Sequence, residues 1–393
     1  MKNKTIAIYS GEIPSTTFIE RLIVGLAVTD TTIYLFGKQK KRIFYPKNVQ
    51  LFTYSSKLSK LIVLLKYSLL LIIFKPKEKN KLDLIIAAQK GNQNVKRLKY
   101  YPVLYHKPDV FHLQWAKGTE DWLWVKDFGI KFILSLRGTH ISISPIADLF
   151  LKRMYETSFH KVDGFHAVSK AILEEAKKYE TNLKNTSVIY SGLELEKLVF
   201  KTKTNINSTL NIVSIGRSHW LKGYSYALDA FSILKQENFN FHYTIIGIDN
   251  DEELIFQRNQ LDLDELVTFQ KNIAFQKVME QIYDADIILL PSIEEGIANV
   301  VLEAMALGTL VVSTDCGGMT EIVKNGKNGF IIPVRDSKSI TDIVKKISSL
   351  SLENYNEITS RARIAVENQH SKDRMISDFE SFYDKVNNSN KTE

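Results

Sequence analysis

Two glutamates eight positions apart, Glu295 and Glu303, flank a turn that leads from an apolar strand into a helix. The run reads Pro291-Ser292-Ile293-Glu294-Glu295-Gly296-Ile297-Ala298-Asn299-Val300-Val301-Leu302-Glu303. A helix starting near Asn299 predicts a phosphate site. The free N–H groups and the helix dipole both point outward at such an opening, here around Gly296, Ile297, Ala298, Asn299 and Val300. Glu303 falls one turn into the helix, where a carboxylate can accept hydrogen bonds from a ribose diol. Glu295 stands at the turn, where a sugar attached to that phosphate would lie. The competing explanation is a charged capping turn, with Glu303 only complementing the dipole.

A second loop sits upstream. Strand 211–215 runs into Gly216-Arg217-Ser218-His219-Trp220-Leu221-Lys222-Gly223, and a helix follows from about Tyr224. A glycine at a strand's C-terminal end allows a sharp turn and brings backbone close to a ligand. Arg217 and Lys222 then offer two cations to a diphosphate, one as a fork and one as a point charge. Such a loop alone is most often a basic turn without a ligand. Paired with the Glu295 turn, it points to a nucleotide diphosphate.

The elements that must carry these loops alternate between β-rich and helical stretches, the pattern of parallel α/β layers. Strands are predicted at 5–9, 32–36, 84–87, 110–113, 131–136, 164–169 and 186–190. Six more are predicted at 211–215, 242–246, 267–270, 287–290, 310–313 and 329–333. The polar stretch 197–208 is the expected linker. The expected organisation is an N-terminal domain over 1–200, a nucleotide-binding domain over 201–370, and a helix with a polar tail over 371–393 that returns to the first. Residues after about Asn387 are expected to fray.

At 393 residues the chain suits two domains. Its single cysteine, Cys316, excludes a disulfide framework and fits a reducing cytosol. Residues 1–110 hold 20 Lys/Arg against 6 Asp/Glu, whereas the remainder holds 32 against 38. A basic first half suggests an anionic surface facing it. No nucleic-acid motif accompanies the charge, so a membrane surface is preferred over nucleic acid. The apolar run 61–74 is shorter than the roughly 20 residues that span a bilayer. The lysines at 57, 60, 66, 75, 77, 79 and 81 surround or interrupt it. That pattern fits an interfacial helix over 57–81 beside anionic lipids, or equally a buried helix with solvated lysine ends.

The whole resembles retaining glycosyltransferase family 4. The resemblance rests on Gly216-Arg217, Lys222-Gly223, Ile246-Gly247, the run from Asp286 to Glu303, and Gly317-Gly318 with Glu321-Ile322-Val323. In the N-terminal half, Pro14-Ser15-Thr16-Thr17-Phe18-Ile19, His112-Leu113-Gln114-Trp115 and Ser135-Leu136-Arg137-Gly138-Thr139-His140 are similar to a subgroup that builds exopolysaccharides. The resemblance implies a GT-B fold, two facing Rossmann-like doubly wound domains with the active site in the cleft. It implies that Arg217 and Lys222 neutralise the donor diphosphate, that Gly296–Val300 bind its oxygens, and that Glu303 holds ribose. Glu295 would contact the donor sugar and steady developing positive charge. Gly11 would approach the donor from the opposite domain, and Gly247 would be a turn glycine near the base. Where many relatives carry histidine this chain has Arg137, and His140 stands where aspartate is common. Arg137 can therefore meet an acidic acceptor or a phosphate, or both residues can be structural. His112 can be merely hydrogen-bonded at its strand end.

Asp284-Ala285-Asp286 and Asp262-Leu263-Asp264 fit a short acidic metal-binding pattern. Asp286 opens a hydrophobic strand, however, so its carboxylate is expected to cap or pair. No metal ligand and no cofactor are expected, because the helix opening and the cations take over charge neutralisation. The predicted chemistry is hexosyl transfer with retention, from a UDP- or GDP-linked donor to a glycan or lipid-linked acceptor in cell-surface polysaccharide synthesis. It would take place in the cytoplasm or at the inner face of its membrane. A sugar-nucleotide epimerase, a phosphorylase of the same fold and a non-catalytic nucleotide-sugar-binding subunit are the rivals.

Overall fold

Strands rich in β-branched residues and separated by helices form two open sheets, and the structure, a computed structural model, describes residues 4–389. The expected polar tail at 390–393 lies outside the described residues, and the preceding helix Lys372–Asn388 continues through Asn387. The chain divides into two units. Unit 1 takes in the described residues up to Val168, Ile172–Gly192 and those from Lys372 onward, and unit 2 takes in Ser169–Ala171 and Leu193–Ser371.

Unit 1 holds β1 (Thr5–Tyr9), β2 (Gly11–Ile13), β3 (Thr32–Gln39), β4 (Val49–Tyr54), β5 (Val110–Leu113), β6 (Lys131–Leu136), β7 (Gly164–Ala167) and β8 (Thr186–Val188). Their order is β2-β3-β1-β5-β6-β7-β8, with β4 also on β3, and all pairs are parallel. Unit 2 holds β9 (Leu210–Ile215), β10 (Phe241–Ile246), β11 (Val267–Gln270), β12 (Ile287–Leu290), β13 (Leu310–Thr314) and β14 (Phe330–Ile332). These are also parallel, in the order β11-β10-β9-β12-β13-β14. Parallel strands bury both faces, which explains why β5, β7, β12 and β13 are buried at every residue.

Each sheet separates two apolar layers. In unit 2, Ile212, Tyr243 and Leu289 point to one side, while Val213, Ile246 and Ile288 point to the other. In unit 1 one layer is closed by Met375, Phe379, Phe382, Tyr383 and Val386 of the helix Lys372–Asn388. The polar stretch around 201–208 packs within unit 2. The Lys201 amide donates to the Leu307 carbonyl at 3.2 Å, and the Lys203 amide to Asn356 Oδ1 at 2.9 Å.

One predicted strand is wrong. Residues 84–87 belong to the helix Pro76–Ala88. Leu82 and Ile86, four apart, face the core, and Asp83 between them receives Lys79 Nζ at 2.6 Å, Arg97 Nε at 3.2 Å and the Tyr101 hydroxyl at 2.6 Å. Those anchors outweigh the β-propensity of the Leu84-Ile85-Ile86 run. Conversely, β2 and β4 were not predicted. β2 is three residues long, and β4 lies at a sheet margin with only Val49 fully buried, so neither has a marked apolar run.

The run 61–74 lies in a helix, Lys57–Phe74, whose only fully buried residues are Tyr67 and Leu71. Leu58, Leu61, Ile62, Leu65, Leu69, Ile72, Ile73 and Phe74 are exposed, so the buried-helix alternative does not hold. Among the described residues no helix is long and apolar enough to cross a membrane.

Candidate functional site

The strand order of unit 2 reverses direction between β9 and β12. β10 and β11 lie to one side, and β13 and β14 to the other. Open parallel sheets bind ligands outside the carboxyl ends of the strands at such a switch point, because the two departing loops part there. The loops leaving β9 and β12 are the two that carry Gly216–Gly223 and Pro291–Ala298.

Glycines fasten these loops together. Gly223 has φ +65°, and a Cβ there would lie 2.0 Å from the Pro291 carbonyl oxygen, so only glycine fits. Beside it the Ile293 amide donates to the Leu221 carbonyl at 2.7 Å. From the β13 side, a Cβ on Gly317 would lie 1.7 Å from the Glu295 carbonyl oxygen, and one on Gly318 2.2 Å from that of Gly296. The Gly318 amide donates to the Gly296 carbonyl at 2.8 Å. Gly247 abuts the Gly216 carbonyl in the same manner, and the Tyr224 hydroxyl donates to that oxygen at 3.1 Å.

The consequence is a fixed meeting of side chains. Lys222 Nζ lies 2.6 Å from Glu295 Oε1, and Ser292 Oγ donates to the same oxygen at 3.1 Å. Both charged side chains are about four-fifths shielded, with 20% and 19% exposure, which strengthens the pair above a surface one. The helix Asn299–Leu307 opens next to this turn. Its N-cap residue, Ala298, supplies no side-chain acceptor, so no side chain caps the first-turn N–H groups, of which that of Val301 donates back to the Ala298 carbonyl at 3.1 Å. The Ala298 amide faces the Met319 sulfur at 3.3 Å, a weak acceptor, and Asn299 Oδ1 is buried without a partner. Glu303 is buried one turn further in. The site can therefore offer an anion main-chain donors and one paired cation, with a carboxylate, Glu303, buried one turn into the helix.

Of the residues predicted from sequence, the structure joins Lys222, Glu295, Gly296 and the turn through Val300, with Gly216 and Gly247 packed together beside them. Arg217 is exposed and, among the described residues, forms no ion pair. Ser292 and Tyr224 were missed, and their signal is only that each is polar at a loop–strand or loop–helix junction. Two of the four doubtful aspartates have side-chain partners. Asp286 is buried and accepts from the Asn211 amide at 2.9 Å, from Asn207 and from Lys203, and Asp264 pairs with Arg258 at 3.0 Å. Cys316 is buried, and burial pushes its thiol up to about 12, so it is not a nucleophile.

In unit 1, Gly11 opens β2 with φ +86°, its carbonyl against Gly37 of β3. His112 is structural. It belongs to a buried chain in which His166 Nε2–H donates to the Ile189 carbonyl at 3.0 Å, which leaves His166 Nδ1 to accept from Ser135 Oγ at 2.8 Å. Ser135 then accepts from His112 Nε2–H at 2.8 Å, and His112 Nδ1 accepts from the Tyr383 hydroxyl at 2.8 Å. Burial, then the nearby Arg137, pulls His166 down to about 3, and burial likewise lowers His112, so both rings are neutral. Arg137 donates from Nη2 to Gln114 Oε1 at 2.8 Å and lies 4.4 Å over the Phe18 ring. His140 packs on Trp115, with ring centroids 5.4 Å apart. Gln114 was not singled out, although it follows β5 directly.

Residues 197–365 match the model of the family Glycosyl transferases group 1. The amylovoran biosynthesis glycosyltransferase AmsK of Erwinia amylovora is 27% identical over 259 residues, 62% of this chain and 64% of its own length. A putative colanic acid biosynthesis glycosyltransferase, WcaL of Salmonella typhimurium, is 28% identical over 219 residues, 53% of either chain. The match thus spans less than two thirds of these relatives. The crystal structure of HepE from Anabaena in complex with UDP and glucose superposes with a TM-score of 0.70 at 16% identity, over 98% of this chain and all of that one. That likeness shows the fold, two parallel-sheet α/β units as in GT-B glycosyltransferases.

Proposed function

We propose that this chain, which carries a group 1 glycosyl transferase domain over residues 197–365, moves a hexose-type sugar from a nucleotide-diphosphate donor to a glycan or lipid-linked acceptor in cell-surface polysaccharide synthesis. The observation that carries this reading is the Lys222–Glu295 pair at the mouth of an uncapped helix. A cation, a carboxylate and a helix opening that no side chain caps are what a diphosphate with an attached sugar requires. The donor's phosphate competes with Glu295 for Lys222. Once Lys222 turns to the phosphate, Glu295 is released to accept hydrogen bonds from the sugar hydroxyls and to steady positive charge at the anomeric carbon. Arg217, exposed on the same loop, adds a second cation to the leaving group, and Glu303 holds the ribose. Transfer proceeds with retention and without a metal. The acceptor hydroxyl attacks the face the phosphate leaves, and its proton passes to the departing oxygen. The UDP and glucose bound by HepE support a UDP-linked donor over a GDP-linked one.

A thermal-shift series with UDP-, GDP- and ADP-sugars tests donor binding, because a ligand of the folded state raises its melting temperature. Acceptor-dependent release of free nucleotide separates transfer from epimerisation, and the anomeric configuration of the product decides retention. Activity abolished by a chelator and restored by Mn²⁺ would refute metal independence.

Unit 1 supports action at the cytoplasmic face of a membrane. The helix Lys57–Phe74 exposes eight large apolar side chains with lysines at both ends and at Lys66, a composition suited to anionic lipid headgroups. Sedimentation with vesicles containing phosphatidylglycerol, reversed by salt, tests this. Equal sedimentation with neutral vesicles would count against it.

A further inference from the structure

At the carboxyl ends of β5 and β6, unit 1 holds a cation that lacks a counterion. Among the described residues no carboxylate pairs with Arg137. Its polar partner is the neutral Gln114 Oε1, and one face is covered by Phe18. The Arg137 Nε atom is buried without a partner. Two further nitrogens beside it are in the same state. Gln114 Nε2 is buried and unpartnered, its amide orientation being fixed by the bond from Arg137, and His140 Nδ1 is buried and unpartnered. His140 and Phe18 both pack on Trp115, at 5.4 and 6.1 Å between ring centroids, which holds the group together.

Leaving a buried guanidinium unpaired is costly, as is leaving buried N–H donors unmet. Burial lowers the Arg137 guanidinium to about 9, still protonated at neutral pH, and burial with the Lys117 and Arg137 charges lowers His140 to about 4. The neutral imidazole keeps one N–H, which can rest on Nδ1 and donate. Donors without acceptors and a charge without its opposite share one missing complement, an oxyanion. The place is also where ligands sit in such sheets, beyond the strand ends beside the β1–β5 switch point.

We propose that Arg137, Gln114 and His140 form an oxyanion pocket for an acidic substrate, a carboxylate-bearing or phosphate-bearing sugar, which makes this transferase selective for a charged glycosyl partner. This inference rests on the transferase reading for its biological sense, but the pocket lies wholly in unit 1 and can be tested apart from donor binding.

The test is an equilibrium titration of the full chain with methyl glucuronoside, glucose 6-phosphate and methyl glucoside, alongside a UDP thermal shift in the same preparation. A charge-assisted bond to arginine corresponds to roughly 10- to 100-fold in affinity. The charged sugars are expected to bind at least about 10-fold more tightly than the neutral one. Tighter glucuronoside binding identifies a carboxylate source, and tighter sugar phosphate a phosphate source; either supports the pocket. Arg137→Met should erase the preference. Gln114→Glu places a carboxylate against Arg137, so it should abolish the preference while leaving the melting temperature equal or higher, which covers the case in which Arg137→Met fails to fold. Equal binding of charged and neutral sugars by the unaltered chain, or a preference that survives Gln114→Glu, would overturn the proposal. UDP stabilisation without charge preference removes this inference alone, whereas charge preference without UDP stabilisation removes the donor reading and leaves the pocket.

Discussion

Two cations at strand ends, Lys222 in unit 2 and Arg137 in unit 1, are held in opposite ways. Lys222 carries its own counterion, Glu295, at 2.6 Å, in a turn whose backbone is clamped by glycines. Arg137 has only a neutral amide and an aromatic face. The first arrangement is self-neutral until a stronger anion arrives, so it exchanges partners. The second is incomplete on its own and discriminates by what it lacks. A side chain's charge alone therefore says little about its use; the group already opposite it decides.

The largest effect that would break this contrast is Lys222→Ala. It removes leaving-group stabilisation and strands Glu295, and turnover is expected to fall by roughly 10²–10³-fold. Near-normal kcat in a steady-state assay would mean that Lys222 never leaves Glu295. Next, Gly223→Ala tests the clamp. With φ +65° and a Cβ 2.0 Å from the Pro291 oxygen, the variant should lose about 2–4 kcal/mol in denaturant unfolding. Glu303→Ala should raise the donor KM about 10-fold with a smaller change in kcat, since it removes binding common to ground and transition states.

A separate effect concerns pH. His166 is neutral when folded, with its pKa depressed by burial to about 3, against 6.5 unfolded. The unfolded chain then binds the extra proton, so this contribution to stability is intact above pH 6.5 and declines as pH falls toward 3, by about 1.4 kcal/mol per unit. His166→Gln should flatten that slope in chemical denaturation between pH 6.5 and 5. An unchanged slope would mean the ring is already charged in the native state.

The sheet strands of unit 2 were readable because burial on both faces leaves short apolar runs, Ile287–Leu290 in β12 and Leu310-Val311-Val312 in β13, with β9 broken only by Asn211 and Ser214. The helix opening at Asn299 was readable from the Gly296 turn. What could not be read was pairing. Nothing in the spacing of Lys222 and Glu295, 73 residues apart, says that they touch, since that contact depends on Gly223 meeting Pro291 across two loops. The helix Pro76–Ala88 was misjudged because Asp83, which ties it to Arg97 and Tyr101, acts through partners distant in sequence. Gln114 was read only as part of the His112–Trp115 motif and given no role of its own, because a glutamine becomes informative only beside an unpaired guanidinium.

The helix Lys372–Asn388 has a consequence for biosynthesis. It fills a face of unit 1 with Phe379, Phe382 and Tyr383, and Tyr383 caps a hydrogen-bonded chain that starts in β5, 271 residues earlier. Nearly all of unit 2 is contiguous and emerges from the ribosome before that helix does. A released chain ending at residue 371 would contain all of unit 2 but leave this apolar face of unit 1 uncovered, a seam for chaperones to meet.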